Sequence, residues 1–352
     1  MSAAPDRLSP EFRVRVADAD LPSEAVADLR RVSVTQDVEA PGVFALELWN
    51  WDPDRNEMSW SDADLFAEGQ AVEIQFGYRD ALAKVATGEI TSIELVIRAS
   101  EPPRLVVRGY DRSHRLRRSL QTRTYTGVTD ADIAQRIAER ASLESVTEAT
   151  SPRFDYVVQR DQTDLDFLRA RARAIGFEVV VDDRTLHYRA RRHGGDAVAT
   201  LSREVDLLAF SPRTRCDGLV GSTAVGAWDR RRKAAIVGRA AAGDIERMGG
   251  RELGPAAAAR AFGPAENWVD GAVSDQQHAD AVARARLEDA ALSYVGGEGL
   301  CAGRADVRAG TVVELVGLGR RFSGLYYVTR AAHTYDLAEG YRTRFAVRRN
   351  AT

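Results

Sequence analysis

Between Arg13 and Val107 several separate runs place apolar residues at every second position. Arg13-Val14-Arg15-Val16 alternates, and Phe44, Leu46 and Leu48 share one face of the next run. Val72, Ile74, Phe76 and Tyr78 do the same, with Glu73, Gln75 and Arg79 opposite. Ile90 to Ile97 and Leu105 to Val107 continue the series. A period of two, broken by Gly and Pro, is what antiparallel strands with one buried face require. Many such runs at close spacing predict a sandwich or a barrel.

The period then changes. Thr129-Asp130-Ala131-Asp132 is a capping-box-like start, and Ile133, Ala134, Ile137, Ala138 and Ala141 form one helical stripe behind it. Thr163-Asp164-Leu165-Asp166 repeats the start, with Leu165, Leu168, Ala172 and Ile175 as the stripe and Gly176 as the stop. Phe177 to Val181, a turn at Asp182-Asp183-Arg184 and Leu186 to Arg189 predict a hairpin. Strand patterns return at Val205 to Phe210 and Gly218 to Val225. Residues 233–272, rich in Ala, Gly and Arg, give no clear period. Ser274-Asp275-Gln276-Gln277 is a full capping box, which opens a stripe of Ala279, Val282, Ala283, Leu287, Ala290, Ala291 and Tyr294 before Gly296-Gly297. Thr311 to Val316, Gly324 to Tyr335 and Tyr341 to Arg349 fit three closing strands. In the last, Tyr341, Thr343, Phe345 and Val347 face one way and Arg342, Arg344 and Arg348 the other.

Composition narrows the class. The chain has 352 residues, 44% apolar and 29% charged, enough for two or three globular domains. No apolar run approaches the ~18–20 residues of a membrane span, and Met1 to Pro10 lacks the apolar stretch of a secretory leader. Of 49 cationic side chains only Lys84 and Lys233 are lysine, a ratio that points to a GC-rich coding sequence, bacterial or phage. The net charge of −3 gives no bulk attraction to nucleic acid. Arginine clusters at Arg112 to Arg118, Arg189 to His193 and Arg230 to Lys233 lack the interleaved aromatics of single-strand binding and fit ion pairing or solvation better.

Catalytic patterns are missing. Cys216 and Cys301 are too few for a disulfide framework or a cysteine zinc site. His114, His187, His193, His278 and His333 include no close metal-binding pair. Gly317-Leu318-Gly319-Arg320-Arg321-Phe322 has Phe where a dinucleotide loop needs its third glycine, and reads as a hairpin connection with no helix after it. Acid pairs such as Asp52/Asp54, Asp62/Asp64 and Asp182/Asp183 fit loops and caps. His333 and Asp336 can be read as an acid–base pair, but His333 lies mid-strand beside Tyr335, and a packed or hydrogen-bonded histidine is the better reading.

Two segments echo each other. Gly69-Gln70-Ala71-Val72-Glu73-Ile74 matches Gly310-Thr311-Val312-Val313-Glu314-Leu315, and each leads through a turn to a second strand, near Gly88 and Gly324. The echo is what two copies of one β-domain would leave, with an α/β insert inside the second copy. Six positions also permit coincidence between two Gly-led strands.

Val128-Thr129-Asp130-Ala131-Asp132-Ile133-Ala134 and Gln159-Arg160-Asp161-Gln162-Thr163-Asp164-Leu165-Asp166-Phe167-Leu168, followed by Ile175-Gly176-Phe177-Glu178-Val179, resemble the signature of phage late control gene D proteins. Those proteins are the baseplate hubs of contractile tails, and the hub part of the type VI secretion spike protein VgrG is similar. Gly324-Leu325-Tyr326-Tyr327-Val328-Thr329, His333, Gly340-Tyr341-Arg342-Thr343-Arg344-Phe345 and Arg349-Asn350 resemble the family's closing hairpin. The resemblance runs from about residue 12 to the end and is weakest over 233–272.

This resemblance implies an α+β architecture: two tube-like antiparallel β-barrels with an inserted α/β domain. The expected division is 1–112 for the first barrel, 113–197 and 233–302 for the insert (with a helix over 275–294), and 198–232 and 303–352 for the second barrel. It implies a non-enzymatic homotrimer that adapts a sixfold tail tube to a threefold spike. No cofactor is implied. The implied partners are itself, a spike protein, a tube or tube-initiator protein and other baseplate proteins, with no stable nucleic acid and no membrane span. Assembly is expected in the bacterial cytoplasm, into a phage tail or tail-like particle. Relatives of the VgrG type continue past the closing strand, whereas here only Asn350-Ala351-Thr352 follows, so the spike is expected on a separate chain. No lysozyme-like insertion is present. The alternative function is a tail-associated peptidoglycan hydrolase working through His333. Residues expected to carry architecture or interfaces are Gly69, Glu73, Phe167, Gly176, Glu314, Gly324, Tyr326, Tyr327, His333, Tyr341, Arg342, Arg344 and Arg348. The outward arginines would line a channel, pair across subunits or stand as a plain polar face.

Overall fold

The computed structural model describes residues 9–79, 81–230 and 232–352. Residues 1–8, on which most of the leader expectation rests, and Arg231 of the third arginine cluster lie outside the described residues. Strands dominate, mostly antiparallel and gathered into one large sheet and three small ones. The chain divides into two compact units. The first comprises the chain up to His114 with residues 300–309 and 330–345. The second comprises residues 115–299, 310–329 and 346–352.

In the first unit the alternating runs become strands as the pattern predicts. Their order is Arg330–Asp336, Leu29–Asp37, Val43–Trp49, Glu101–Tyr110, Ala81–Arg98, Ala71–Tyr78 and Pro10–Val16, each antiparallel to the next. Val14, Val34, Leu46, Ile74, Phe76, Leu105 and Val107 point to one side and join Tyr341 in a single apolar core. The two ends of this order meet: the Phe12 ring lies 4.6 Å from that of Tyr335, and the Tyr78 hydroxyl donates to the Gly303 carbonyl at 3.2 Å. The sheet therefore rolls up around a packed interior.

The second unit begins with a ribbon of Leu120–Val128 and Phe154–Thr163. Helices Asp130–Arg140 and Asp164–Ala174 start where the sequence places them. Thr129 Oγ1 accepts from the Asp132 amide and the Asp132 carboxylate accepts from the Thr129 amide, closing the box. Thr163 Oγ1 accepts from the Asp166 amide. Their stripes pack on the hairpin Phe177–Asp182/Thr185–Ala190. A further group of strands holds Ala197–Ser202 parallel to Val312–Val316, itself antiparallel to Gly324–Tyr327. The segment with no clear period contains strand Ala234–Ala241, helix Gly254–Phe262 and strand Glu266–Asp270. Strand Ser222–Asp229, rather than ending at Val225, pairs antiparallel with the first of these and parallel with the last.

Two local expectations need correction. The third cap is Asp275, not Ser274: its carboxylate accepts from the His278 amide at 2.8 Å, and the helix runs Gln276–Ala291. A four-residue helical turn, Gly319–Phe322, lies in the connection read as helix-free, and Tyr326 Oη donates back to the Phe322 carbonyl. Helix Gln276–Ala291 can lie flat on strand Ala234–Ala241 because position 238 is glycine. A Cβ there would sit 2.1 Å from the Ala279 carbonyl carbon. Gly238→Ala should lower the melting temperature of this unit by an amount corresponding to about 1–3 kcal/mol, read by calorimetry. An unchanged melt would show that the helix rides free of the sheet.

Candidate assembly surface

Several expected residues build the framework beneath the surface. Phe167 is buried and stacks on Tyr125 at 5.9 Å. Gly176 turns the chain in the left-handed region (φ 74°) between a helix and the strand carrying Glu178. The two parts of the late-control resemblance meet at Glu178. Its carboxylate accepts from the Tyr327 hydroxyl at 2.7 Å and from Arg189 Nε at 2.9 Å, all three being largely withdrawn from solvent. Burial first, then the neighbouring carboxylate, push the Tyr327 hydroxyl's pKa far above the ordinary phenol value, so it stays a donor.

Tyr326 is fully buried, with the edge of Phe210 at 5.7 Å and the guanidinium of Arg349 over its ring at 5.4 Å. That guanidinium is 1% exposed and donates to the Ser323 carbonyl at 2.7 Å. It rests against Gly324, where a Cβ would come within 3.1 Å of Nη1. Arg349 was not among the expected site residues. The available signal was its place on the inward phase of the closing strand.

The echoed segments match in local structure. Gly69 and Gly310 both sit at positive φ (88° and 83°), Val72 and Val313 are both buried, and Ile74 and Leu315 are both fully buried. Glu73 accepts from Gln75 at 2.7 Å and Glu314 from Thr200 at 3.2 Å, both half-buried. Each segment pairs antiparallel with the strand after it.

His333 lies inside the first unit and is fully buried. Its Nδ1 is 3.0 Å from the Tyr341 hydroxyl and 3.2 Å from that of Thr343. Tyr341 in turn stacks on Phe76 at 5.0 Å. The supposed acid–base pair is not assembled. Asp336 sits three residues along the strand, where its side chain is out of phase with that of His333. Its carboxylate accepts from Arg31 at 3.0 Å and from the Ala338 amide at 2.9 Å. That amide and the Arg31 guanidinium hold its pKa below the usual carboxylate range.

Most arginines of the expected basic clusters with visible partners are tied into ion pairs. Arg112 and His114 both hold Glu89, at 3.2 and 2.8 Å, and Arg191 holds Asp289 at 3.0 Å. The closing strand differs. Tyr341, Thr343, Phe345 and Val347 are buried as expected, and Arg344 and Arg348 stand exposed with Arg342 half-exposed. Among the described residues these three have no recorded ion pair. A second open surface was missed from the sequence. On the sheet of Ser222–Asp229, Ala234–Ala241 and Glu266–Asp270, Trp228 and Trp268 share the face away from helix Gln276–Ala291, 62% and 54% exposed. Trp268 lies across Gly226, where a Cβ would be 3.0 Å from its ring.

Among the described residues no group of three or more His, Cys, Asp or Glu side chains is placed to hold a metal ion, and no helix is long and apolar enough to cross a membrane.

A family model described as the Alg8 N-terminal domain matches residues 9–336. A search of curated proteins finds no match. Among solved structures, the 43 kDa tail protein of prophage MuSo2 from Shewanella oneidensis is similar at 14% identity and a TM-score of 0.71, covering 97% of this chain and 98% of that one. A tail protein from Neisseria meningitidis reaches 15% identity and 0.69, over 97% and 96%. The E. coli c3393 protein, described as a type VI secretion component structurally similar to T4 tail proteins, reaches 14% and 0.54, over 97% and 77%. At these identities the likeness is one of fold, and the resemblance noted in the sequence holds at that level.

Proposed function

From its tail-protein fold we propose that this chain, which belongs to the Alg8 N-terminal domain family, is a structural baseplate hub of a phage tail or contractile injection particle. The observation that carries this reading is the two-way coverage: almost all of the chain matches almost all of two tail proteins. In the finer form of the proposal each chain supplies two strand-built barrels and three chains close a ring. Three chains with two barrels each offer six similar units to a sixfold tube and a threefold platform to a spike. The matched conformations at Gly69–Ile74 and Gly310–Leu315 support the duplication. The insert over residues 113–197 and 233–302 would brace the second barrel.

The packed interior of the first unit supports a ring for a physical reason. Leu46, Ile74, Phe76 and Leu105 fill the space inside the rolled sheet, so no passage runs through this unit, and in the proposed ring it would run between copies. The framework residues Glu178, Tyr327, Tyr326 and Gly324 then hold shape, while outward faces make contacts. The proposed partners are further copies, a spike protein, a tube or tube-initiator protein and other baseplate proteins, met during assembly in the bacterial cytoplasm. Light scattering on the purified chain, alone and with tube and spike proteins, should give a particle of three chains. A strictly monomeric particle in both settings overturns the reading.

A further inference from the structure

We infer that strand Glu266–Asp270 of one copy docks face-on against the outward face of the closing strand, Gly340–Arg349, of the next copy. The inference rests on the ring reading above and names the contact that closes the ring.

Strand Glu266–Asp270 is held on one side only, parallel to Ser222–Gly226, and Glu266, Asn267, Trp268 and Asp270 are all exposed. Five parallel pairings give a strand so open little support. Alternation puts Glu266, Trp268 and Asp270 on the same face, carboxylate, indole, carboxylate. Neither acid has an ion pair among the described residues.

The closing strand presents the complement. Arg344, Ala346 and Arg348 alternate outward, guanidinium, methyl, guanidinium, with both arginines exposed and without ion pairs among the described residues. In each strand the two charges stand four residues apart, about 13 Å at strand rise. Trp268 would then lie over Ala346, the one small outward position between the arginines, with each carboxylate against a guanidinium. Trp and Arg are among the residues that most often dominate interfaces.

Charge excludes the simpler alternative. Edge-to-edge pairing of this strand with its own copy, antiparallel about Trp268, sets Glu266 opposite Asp270 twice, which repels. The contact is therefore taken as head-to-tail, which closes a ring when the rotation from copy to copy is threefold, as the ring reading requires, and would otherwise run on as a filament.

The test is mass photometry of four full-length chains, alone and with tube and spike proteins: wild type, E266R/D270R, R344E/R348D, and the quadruple reversal. All four positions are exposed, and circular dichroism should report the same fold in each. The wild type should form three-chain particles. Either double reversal should weaken assembly by about 30-fold or more, and the quadruple reversal should recover it. Acrylamide quenching of tryptophan fluorescence should fall on assembly in a chain with Trp228→Phe, and by less in one with Trp228→Phe and Trp268→Phe, the difference reporting Trp268 above the background of Trp49, Trp51 and Trp60. Double reversals that assemble like wild type overturn the inference and leave the ring reading standing. Reversals that spare self-assembly but abolish capture of the tube or spike protein also overturn it, because the face then belongs to another chain. A wild type that stays monomeric in every setting overturns the ring reading and this contact with it.

Discussion

Replacing Arg349 by alanine should cost the second unit about 3–5 kcal/mol, roughly a 10 °C fall in its calorimetric melt. Arg349 is among the largest side chains with less than 2% exposure. Its guanidinium lies over Tyr326 and supplies the donor to the Ser323 carbonyl. Truncation removes the packing of a long side chain and strands that carbonyl without a partner. The slot is shaped for it from two sides, because a Cβ at Gly250 would lie 2.8 Å from Nη2 and one at Gly324 would lie 3.1 Å from Nη1. Neighbouring outward arginines provide the control. In the unassembled chain, Arg344→Ala and Arg348→Ala remove exposed side chains and should shift the melt by no more than about 0.5 kcal/mol. An Arg349→Ala chain that melts with wild type would mean that the slot refills or that the buried guanidinium contributes nothing net.

The same strand shows what a sequence reveals and what it hides. Alternation at Tyr341, Thr343, Phe345 and Val347 correctly separates inside from outside, and by that phase Arg349 is an inside residue. Its charge argued for the surface, and only the two glycines and the Tyr326 face, distant in sequence, explain how it is buried. The helices were legible because their stripes and caps are local: Thr129 and Thr163 cap as their spacing implies. The shift from Ser274 to Asp275 arises because two good capping residues stand side by side and backbone direction decides between them. Strand partners were not legible. Arg31 stands opposite Asp336 across two strands about three hundred residues apart, and a period of two specifies a face but not a neighbour. For the same reason residues 330–345 pack with the first unit although they sit at the far end of the chain. Trp228 and Trp268 escaped notice because strands Ser222–Asp229 and Ala234–Ala241 are largely Ala, Gly and Val, with almost no polar–apolar contrast, and Glu266–Asp270 is only five residues long.

Acidification should unfold the first unit, with stability falling by about 1.4 kcal/mol for each pH unit below about 6.5. The cause is His333. It is fully buried, and burial, with a smaller push from Arg308, lowers its pKa to about 3; Asp306 acts in the opposite sense. The unfolded chain returns the imidazole to water, where it binds a proton near pH 6.5. Between those two values the unfolded state holds one more proton than the folded state, so falling pH favours unfolding. Above pH 6.5 both states carry a neutral ring and the contribution is fully present; below about pH 3 both are charged and no more is lost. The folded unit resists protonation because the ring is enclosed by Phe76 and Tyr341, and the Tyr341 hydroxyl's own pKa is pushed far above the phenol value, chiefly by burial. Denaturant titrations of wild type and His333→Gln between pH 4 and 7 separate this group from the carboxylates. The variant starts less stable but should lose the part of the slope between pH 6.5 and 5, where few carboxylates titrate. Parallel slopes for the two chains in that window would show that His333 already takes up its proton in the folded state.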